Sequence, residues 1–224
     1  MKVYSKIDTL LERDERFQVT TELRRPVFGH ITTWVVTEKV DGTNIRLGWE
    51  RRKIDNVPKV SGAAIGGKTD NAQIPVKLYD VLIPITDRIT LEVAKIMEEF
   101  DLEHYTLYGE GYGAGIQKGG NYRDDLGFVL FDILVNEMAW LDDSQVTDTA
   151  NRLGLERAPI LGYWSLEEIA TNVKESIPSI VALSHGKTHQ AEGIVARPVE
   201  PLYDRRAERL ILKLKTKDFR AGKR

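Results

Sequence analysis

The chain has 224 residues, of which 42% are hydrophobic, so it can form one large domain or two small ones with a substantial core. Its formal net charge of −2 excludes a protein that holds nucleic acid through an overall basic surface. If the protein binds nucleic acid, it must do so through a local basic patch. The absence of cysteine excludes disulfides, thiolate zinc sites and cysteine nucleophiles, and because no apolar run reaches 18 residues we expect a soluble, cytoplasmic protein without a membrane partner.

The first predicted strands are two runs rich in β-branched and aromatic residues within residues 30–50. They flank Asp41-Gly42, a sequence typical of a tight turn, which places Lys39 at the end of a strand. Later strands are predicted at 105–112, 128–135, 193–197 and 209–215.

Helices are predicted between these strands at residues 85–100, 144–153 and 166–175. Ser165 and Glu168 have the spacing of a capping box ahead of the last one. Strands in irregular order with inserted helices predict an α+β fold with mostly antiparallel sheets flanked by helices, in a single domain over residues 1–224.

The segment 38–44 (EKVDGTN) places one lysine beside a glycine turn with acidic residues on both sides. Taken alone, it also fits an exposed hairpin. A lysine can attack phosphorus only as a neutral amine, whereas a free lysine side chain has a pKa of about 10.4. Burial and neighbouring cations lower such a pKa, so a nucleophilic lysine predicts further basic residues and a metal nearby.

Four further short motifs follow in the sequence, at 107–113 (LYGEGYG), 128–133 (FVLFDI), 192–195 (EGIV) and 212–215 (LKLK). Together with the lysine segment, and in this order, they resemble the covalent nucleotidyltransferase superfamily of ATP-dependent DNA ligases, RNA ligases and mRNA capping enzymes. The resemblance covers most of the chain, and five ordered motifs are far more specific than any one of them.

The resemblance implies a role for each matching residue. Lys39 matches the nucleophile that forms a lysyl-nucleotide, and Glu38 matches the residue that positions the base or the lysine. Asp41 and Gly42 complete that first motif of the ATP site. Glu110 matches the acid that accepts hydrogen bonds from the ribose, although on its own it also fits a strand acid facing solvent.

The later motifs match the remaining ATP and metal contacts. Phe131 matches the aromatic residue that stacks on the purine, with Asp132 beside it as a second candidate metal residue; Phe131 alone also fits a core position. Glu192 matches the acid that holds the water shell of a catalytic Mg²⁺, for which Mn²⁺ can substitute. Lys213 and Lys215 alternate with leucines and match a phosphate clamp, or alternatively a lysine-protected edge strand.

A competing interpretation is a P-loop, because residues 62–69 (GAAIGGKT) fit that pattern and 128–132 resemble its partner strand. A P-loop requires an apolar strand directly before it and a helix starting at its lysine. The preceding residues are polar and include Pro58, and Pro75 and Pro84 follow, which argues against both. Within the superfamily, Lys68 is instead a candidate for a basic residue that contacts the nucleotide or the RNA end.

Among the members of the superfamily, the segment with Thr43-Asn44 is most similar to nick-sealing RNA ligases of phage type, because DNA ligases usually carry arginine at the position of Asn44. The implied reaction uses ATP to form lysyl-AMP, transfers AMP to a 5′-phosphate end and joins that end to a 3′-hydroxyl. Nine residues follow Lys215, so no C-terminal OB or helical domain is expected. A DNA ligase, a capping-type enzyme and a non-catalytic nucleic-acid end binder remain alternatives.

The implied partner is nucleic acid with 5′-phosphate and 3′-hydroxyl ends, with RNA favoured. Basic residues near the C-terminus either follow its phosphates or form a solvated tail; they are Arg205, Arg206, Arg209, Lys217, Arg220, Lys223 and Arg224.

Overall fold

The computed structural model describes residues 1–16, 18–54, 57–117 and 119–219. The chain divides into two compact units: unit 1 comprises Met1–Tyr4 and Asp41–Arg157, and unit 2 comprises Ser5–Val40 and Ala158–Arg224. Each unit has its own cluster of buried apolar side chains. The predicted α+β class with mostly antiparallel sheets is confirmed.

The strands, in chain order, are β1 (Asp8–Thr9), β2 (Leu11–Arg13), β3 (Val19–Leu23), β4 (Trp34–Lys39), β5 (Thr43–Ile54), β6 (Val57–Val60), β7 (Ala64–Gly66), β8 (His104–Gly113), β9 (Leu126–Val135), β10 (Ala139–Trp140), β11 (Glu156–Arg157), β12 (Ile160–Trp164), β13 (Gly193–Pro198) and β14 (Leu212–Lys215). The helices are α1 (Val76–Glu99), α2 (Asp143–Leu153), α3 (Leu166–Glu175) and α4 (Ile180–Ser184). Short 3-10 helices cover Pro26–His30, Gly119–Asn121 and Thr216–Phe219.

Unit 1 is built on a seven-stranded sheet with the order β10-β9-β8-β5-β6, to which β7 adds beside β5 and β11 beside β9. Only the β11–β9 pair of this described sheet is parallel. One face of the sheet packs against α1 and α2, where Leu78, Ile89 and Val93 join Ile45 and Leu107 in the core. The opposite face of β5 and β8 therefore remains for polar side chains.

Helix α1 begins at Val76, nine residues before the predicted start, and contains Pro84 in its interior. The prediction was wrong because it treated this proline as a boundary. An interior proline costs about 3 kcal/mol. Leu78 and Leu82 continue the apolar spacing ahead of it and are fully buried, and burying each contributes about 1.5–3 kcal/mol, which offsets that cost.

Unit 2 contains a five-stranded sheet with the order β1-β14-β13-β4-β12, in which only the β1–β14 pair is parallel, and a separate β2–β3 pair. Ile169 and Val173 of α3 share a core with Trp34 and Val36 of β4. The capping box predicted at Ser165 is present. Among the described residues, no helix has the length and apolar character needed to span a membrane.

The two strands predicted around Asp41-Gly42 are confirmed as β4 and β5, and Lys39 is the last residue of β4. They do not pair with each other. β4 lies between β12 and β13 in the sheet of unit 2, whereas β5 pairs with β6, β7 and β8 in the sheet of unit 1. The turn therefore links two sheets rather than closing a hairpin.

Candidate functional site

In unit 2 a single carboxylate joins two lysines that lie at strand ends. Lys39 Nζ donates to Glu192 Oε2 at 2.5 Å, and Lys215 Nζ, at the end of β14, donates to Glu192 Oε1. The three side chains are 15–23% exposed. Burial alone would raise the pKa of Glu192, but the charge of Lys39 and hydrogen bonds from both lysines lower it below its ordinary value. Glu192 is therefore anionic at neutral pH.

Gly193 allows the two lysines to approach the same carboxylate. In the strand register it lies opposite Lys39 on one side and opposite Lys215 on the other. A Cβ atom at this position would lie 2.1 Å from the Leu214 carbonyl oxygen, so any other residue would force the strands apart. The glycine that follows Glu192 therefore sets the spacing of both amines.

Lys213 and Lys215 lie on one face of β14, as predicted, because they alternate with the buried Leu212 and Leu214. The alternative of a lysine-protected edge strand is wrong. β14 pairs with β13 along its length and with β1 at Leu212 and Lys213, so it is an inner strand of the sheet rather than its edge. The two lysines thus supply positive charge to the face of the sheet that also carries Lys39.

Glu38 precedes Lys39 and so points to the opposite face of β4. Its carboxylate is buried and accepts hydrogen bonds from Ser179 Oγ (2.5 Å), the Ile180 amide (2.8 Å) and the Val181 amide (3.1 Å). These groups form the start of α4, so Glu38 fixes the end of β4 to that helix. Ser179 was missed in the sequence, where only a serine ahead of a short apolar run marks it.

Substitution of Glu38 by glutamine should change how stability depends on pH. Burial raises the pKa of Glu38 above 4.5, against the hydrogen bonds that lower it. The folded protein therefore binds this proton more tightly than the unfolded chain, and stability falls as pH rises from the unfolded value through the folded one. Each unit of difference corresponds to about 1.4 kcal/mol. In urea unfolding between pH 4.5 and 8, the stability of Glu38→Gln relative to wild type should rise with pH.

Glu168→Gln is the matched control for this measurement. Glu168 also accepts hydrogen bonds at a helix start, but those bonds from Ser165 lower its pKa. Its contribution to stability is present above the unfolded pKa and is lost as pH falls, so the relative stability of this variant should decrease as pH rises toward 4.5 and should not rise above it. The same trend in both variants would contradict the assignment of a raised pKa to Glu38.

In unit 1, Glu110 and Asn44 lie side by side on adjacent strands. They are direct partners in the β5–β8 register, and Glu110 is the half-buried exception between buried neighbours in β8. Asp41 and Gly42 precede β5, and a Cβ atom on Gly42 would lie 2.4 Å from the Gly111 carbonyl oxygen and 2.8 Å from Glu110 Cγ. The structure therefore places Gly42 of the lysine motif directly against Glu110.

Asn44 adds a group that the sequence did not mark as part of a site. Its Oδ1 atom is buried and has no hydrogen-bond partner among the described residues. An unpaired buried acceptor is costly, so Asn44 Oδ1 is a polar atom of this cluster that can still accept a hydrogen bond. The position of Asn44 directly after the lysine motif could have marked it as a site residue. The sequence analysis used Asn44 only to distinguish RNA ligases from DNA ligases.

Phe131 owes its exposure to a β-bulge. Asp132 pairs with Tyr108 and Leu130 with Gly109, so Phe131 is the extra residue that β9 inserts between these two pairs. It is half-buried between the buried Leu130 and Asp132, which rules out the alternative of a fully buried core position. The bulge thus interrupts the regular alternation of side chains between the two faces of β9, and the Phe131 ring is left half-buried.

The carboxylate of Asp132 is completely buried and accepts a hydrogen bond from the Tyr4 hydroxyl at 2.8 Å. Among the described residues, no group of three or more histidine, aspartate or glutamate side chains is arranged to hold a metal ion. Neither Asp132 nor Glu192 therefore belongs to a metal cage formed by described side chains alone.

Lys68 lies exposed in the loop after β7. Arg46 holds this loop: it is 1% exposed, its Nε donates to the Gly67 carbonyl oxygen at 2.7 Å, and its Nη2 donates to Asp70 Oδ1 at 2.9 Å. The next helix starts only at Val76, so the helix required at the lysine of a P-loop does not form there. Arg46 was missed, although an arginine between two apolar strand residues is a usable signal of a buried charge with partners.

The basic residues considered near the C-terminus are only partly described. Arg205, Arg206 and Lys217 are exposed, and Arg209 is half-buried. Arg220, Lys223 and Arg224 lie outside the described residues.

A family model described as RNA ligase matches residues 32–215. Among solved structures, the Naegleria gruberi RNA ligase with PPi is 17% identical with a TM-score of 0.59, and the match covers 98% of this chain and 63% of that one. A variant of the same ligase with ATP and Mn is 16% identical, with a TM-score of 0.58 and coverage of 100% and 65%. An archaeal ATP-dependent RNA ligase is 18% identical, with a TM-score of 0.56 and coverage of 99% and 50%. The chain thus spans less than two thirds of each of these proteins, and the likeness shows a shared fold.

Proposed function

Because the chain belongs to the RNA ligase family, we propose that it is an ATP-dependent RNA ligase that works through a covalent lysyl-AMP intermediate. The observation that carries the proposal is the convergence of Lys39 and Lys215 on Glu192. A nucleophile, a second cation and an acid are thereby fixed at adjacent strand ends, as phosphoryl chemistry by a lysine requires.

In the first step the neutral amine of Lys39 forms a bond to the α-phosphorus of ATP, the bond to the bridging oxygen breaks, and pyrophosphate leaves. The nitrogen then loses one of its two protons to solvent, which leaves a phosphoramidate with one N–H. Lys213 and Lys215 lie on the same face of β14 and neutralise phosphate charge as it develops. Glu38 supports this step by fixing the backbone of β4 that carries Lys39.

The donor set of unit 2 fits a magnesium ion that is held together with substrate phosphates. Mg²⁺ typically keeps several waters and takes one or two carboxylates besides phosphate oxygens. Glu192 supplies one anionic carboxylate, which agrees with that mode. When bound, such an ion neutralises phosphate charge; Mn²⁺ is an alternative.

The nucleoside contacts that we propose belong to unit 1. Glu110 accepts hydrogen bonds from the ribose hydroxyls, and Phe131, turned out by the bulge, stacks on the purine. Asp41 and Gly42 complete the lysine motif, and Gly42 is needed because a side chain there would collide with Glu110. Lys68 contacts the nucleotide or the RNA end from its exposed loop.

Two further steps complete the proposed reaction. The AMP of the adduct passes to a 5′-phosphate end, and a 3′-hydroxyl then attacks the activated phosphate and releases AMP. We propose RNA as the strand that carries these ends. The exposed Arg205, Arg206 and Lys217 supply local positive charge for its backbone on a chain whose formal net charge is −2.

The first test is covalent labelling. The protein is incubated with Mg²⁺ and ATP or GTP labelled at the α-phosphorus, and we expect label from ATP on the protein that acid removes and base does not. Nicked RNA, nicked DNA and hybrid duplexes are then compared for sealing, with RNA expected to be preferred. No adduct with either nucleotide would contradict the proposal and favour a non-catalytic binder of nucleic-acid ends.

Alanine at Lys68 should leave adduct formation within about fivefold of wild type. Lys68 is exposed and is not the nucleophile, and one solvent-exposed ionic contact contributes about 0–1 kcal/mol. The rate of labelling at limiting ATP is the measurement, with Lys77→Ala on an exposed position of α1 as the matched control. ATP hydrolysis that requires Lys68 without any adduct would instead support the P-loop interpretation.

A further inference from the structure

The first four residues belong to unit 1 and lie across its polar sheet face. Arg46, Tyr108 and Asp132 occupy one row on three adjacent strands, since Arg46 pairs with Tyr108 and Tyr108 with Asp132. Each of the three is hydrogen-bonded to the segment Met1–Tyr4, which therefore crosses β5, β8 and β9 in order.

The three hydrogen bonds to this segment have ordinary donor–acceptor distances. Arg46 Nη1 donates to the Met1 carbonyl oxygen at 3.1 Å, and the Tyr108 hydroxyl donates to the Lys2 carbonyl oxygen at 2.7 Å. The Tyr4 hydroxyl donates to Asp132 Oδ2 at 2.8 Å. Because the charges of Arg46 and Asp132 are buried, losing their partners would be costly, which holds the segment in place.

The segment ends with the ring of Tyr4 against Phe131. The two ring centroids are 5.2 Å apart at an interplanar angle of 74°, an edge-to-face arrangement. Tyr4 also packs against Trp140 at 5.4 Å and Tyr108 at 5.0 Å, so its own position is fixed on two other sides. A bulged residue such as Phe131 lies outside the regular strand pairing, and Tyr4 supplies an aromatic neighbour for it.

We propose that Tyr4 is a positioning residue that holds the ring of Phe131 ready to stack on the purine, and that Asp132 acts as the acceptor that orients Tyr4 rather than as a metal ligand. The inference rests on the proposed function, since it assigns Phe131 to the nucleotide base. The proposal gives the segment Met1–Tyr4 a role in nucleotide binding. This role is not evident from the sequence, because the segment is far from Phe131 along the chain.

The test separates ATP binding from chemistry. Tyr4→Ala should raise the KM for ATP in adduct formation about tenfold, the loss expected for one aromatic pair together with one hydrogen bond, while the maximum rate changes less than about threefold. In a Lys39→Ala background without metal, calorimetry should show the same rise in the Kd for ATP. Tyr4→Phe keeps the ring but loses the hydroxyl, so its KM for ATP should lie between those of wild type and Tyr4→Ala.

Asp132 distinguishes the two roles considered for it. Asp132→Asn keeps an oxygen that accepts from the Tyr4 hydroxyl, so its KM for ATP and its half-saturating Mg²⁺ concentration should remain within about twofold of wild type. Asp132→Ala should raise the KM for ATP alone. A higher Mg²⁺ requirement in Asp132→Asn with an unchanged KM for ATP would overturn the proposal and indicate a metal ligand.

Thr90→Ala is the control for a general loss of stability in unit 1, since it removes the hydrogen bond from Trp49 Nε1 at 3.0 Å without touching the Tyr4 cluster. Its KM should equal that of wild type. If Tyr4→Ala fails to fold, Tyr4→Phe and Tyr4→Leu provide the comparison. An unchanged KM in these variants alongside a normal wild-type adduct overturns the positioning role, whereas absence of the wild-type adduct overturns the proposed function instead.

Discussion

Alanine at Lys39 should abolish the lysyl-AMP adduct. In the proposed reaction Lys39 supplies the nitrogen of the new bond, and removal of an essential nucleophile can cost on the order of 10⁶ in rate. Label from α-labelled ATP should fall below detection after overnight incubation. Lys39→Arg should be equally inactive although it keeps the positive charge beside Glu192, because a guanidinium stays protonated.

Folding should be little affected by these changes, because Glu192 keeps its hydrogen bond from Lys215 when Lys39 is replaced. Lys95→Ala is the matched control, because Lys95 also forms an ion pair, with Glu92 at 2.9 Å, and has no proposed role. It should label like wild type. An adduct of normal yield in Lys39→Ala would show that a different residue is the nucleophile.

Neutralisation of Glu192 should have the second largest effect. Glu192→Gln keeps the size of the side chain but removes the charge that holds Lys39 and Lys215 and that suits a magnesium ion. One charge-assisted hydrogen bond is worth about 1.5–3 kcal/mol, so we expect the rate of adduct formation to fall on the order of a hundredfold. The measurement is single-turnover labelling at saturating ATP across a range of Mg²⁺ and Mn²⁺ concentrations.

The pH dependence provides an internal check on Glu192. Its pKa is lowered in the folded protein, so its contribution to stability is present above the ordinary value of 4.5 and is lost as pH falls through the lowered value. Glu192 is therefore fully ionised at neutral and alkaline pH, so its own titration should add no pH dependence to the loss of rate in Glu192→Gln there. Glu99→Gln, which breaks an ion pair with Arg152 at 2.8 Å, is the control and should remain active. Equal rates in Glu192→Gln and wild type would remove Glu192 from the mechanism.

The features that were predictable from sequence depend on short-range patterns. Lys39 at a strand end, the alternation of Lys213 and Lys215, and the capping box at Ser165 all follow from residues within a few positions of one another. Period-two alternation and cap spacing are local rules, so they hold without knowledge of the packing. The ordered motifs then placed the chain in its family.

The features that were missed depend on contacts between distant segments. Ser179 reaches Glu38 across 141 positions, and Tyr4 reaches Asp132 across 128. The bulge at Phe131 is a property of the register between two strands, and neither strand shows it alone. The early start of α1 was hidden because the burial of leucines ahead of Pro84 outweighs the local preference of proline.

The order in which the sheet of unit 2 is assembled has a consequence for synthesis of the protein. β14 lies between β1 and β13, so a ribosome must pass residue 215 before the strand that carries Lys215 can enter the sheet. Residues 41–157 of unit 1 emerge earlier and have a separate core in which to fold. Until β14 has been synthesised, the edge of β13 that it will cover is unpaired and can pair with other chains. A nascent chain should therefore acquire the Lys39 site last, and a stall shortly before residue 212 should give a product prone to aggregation.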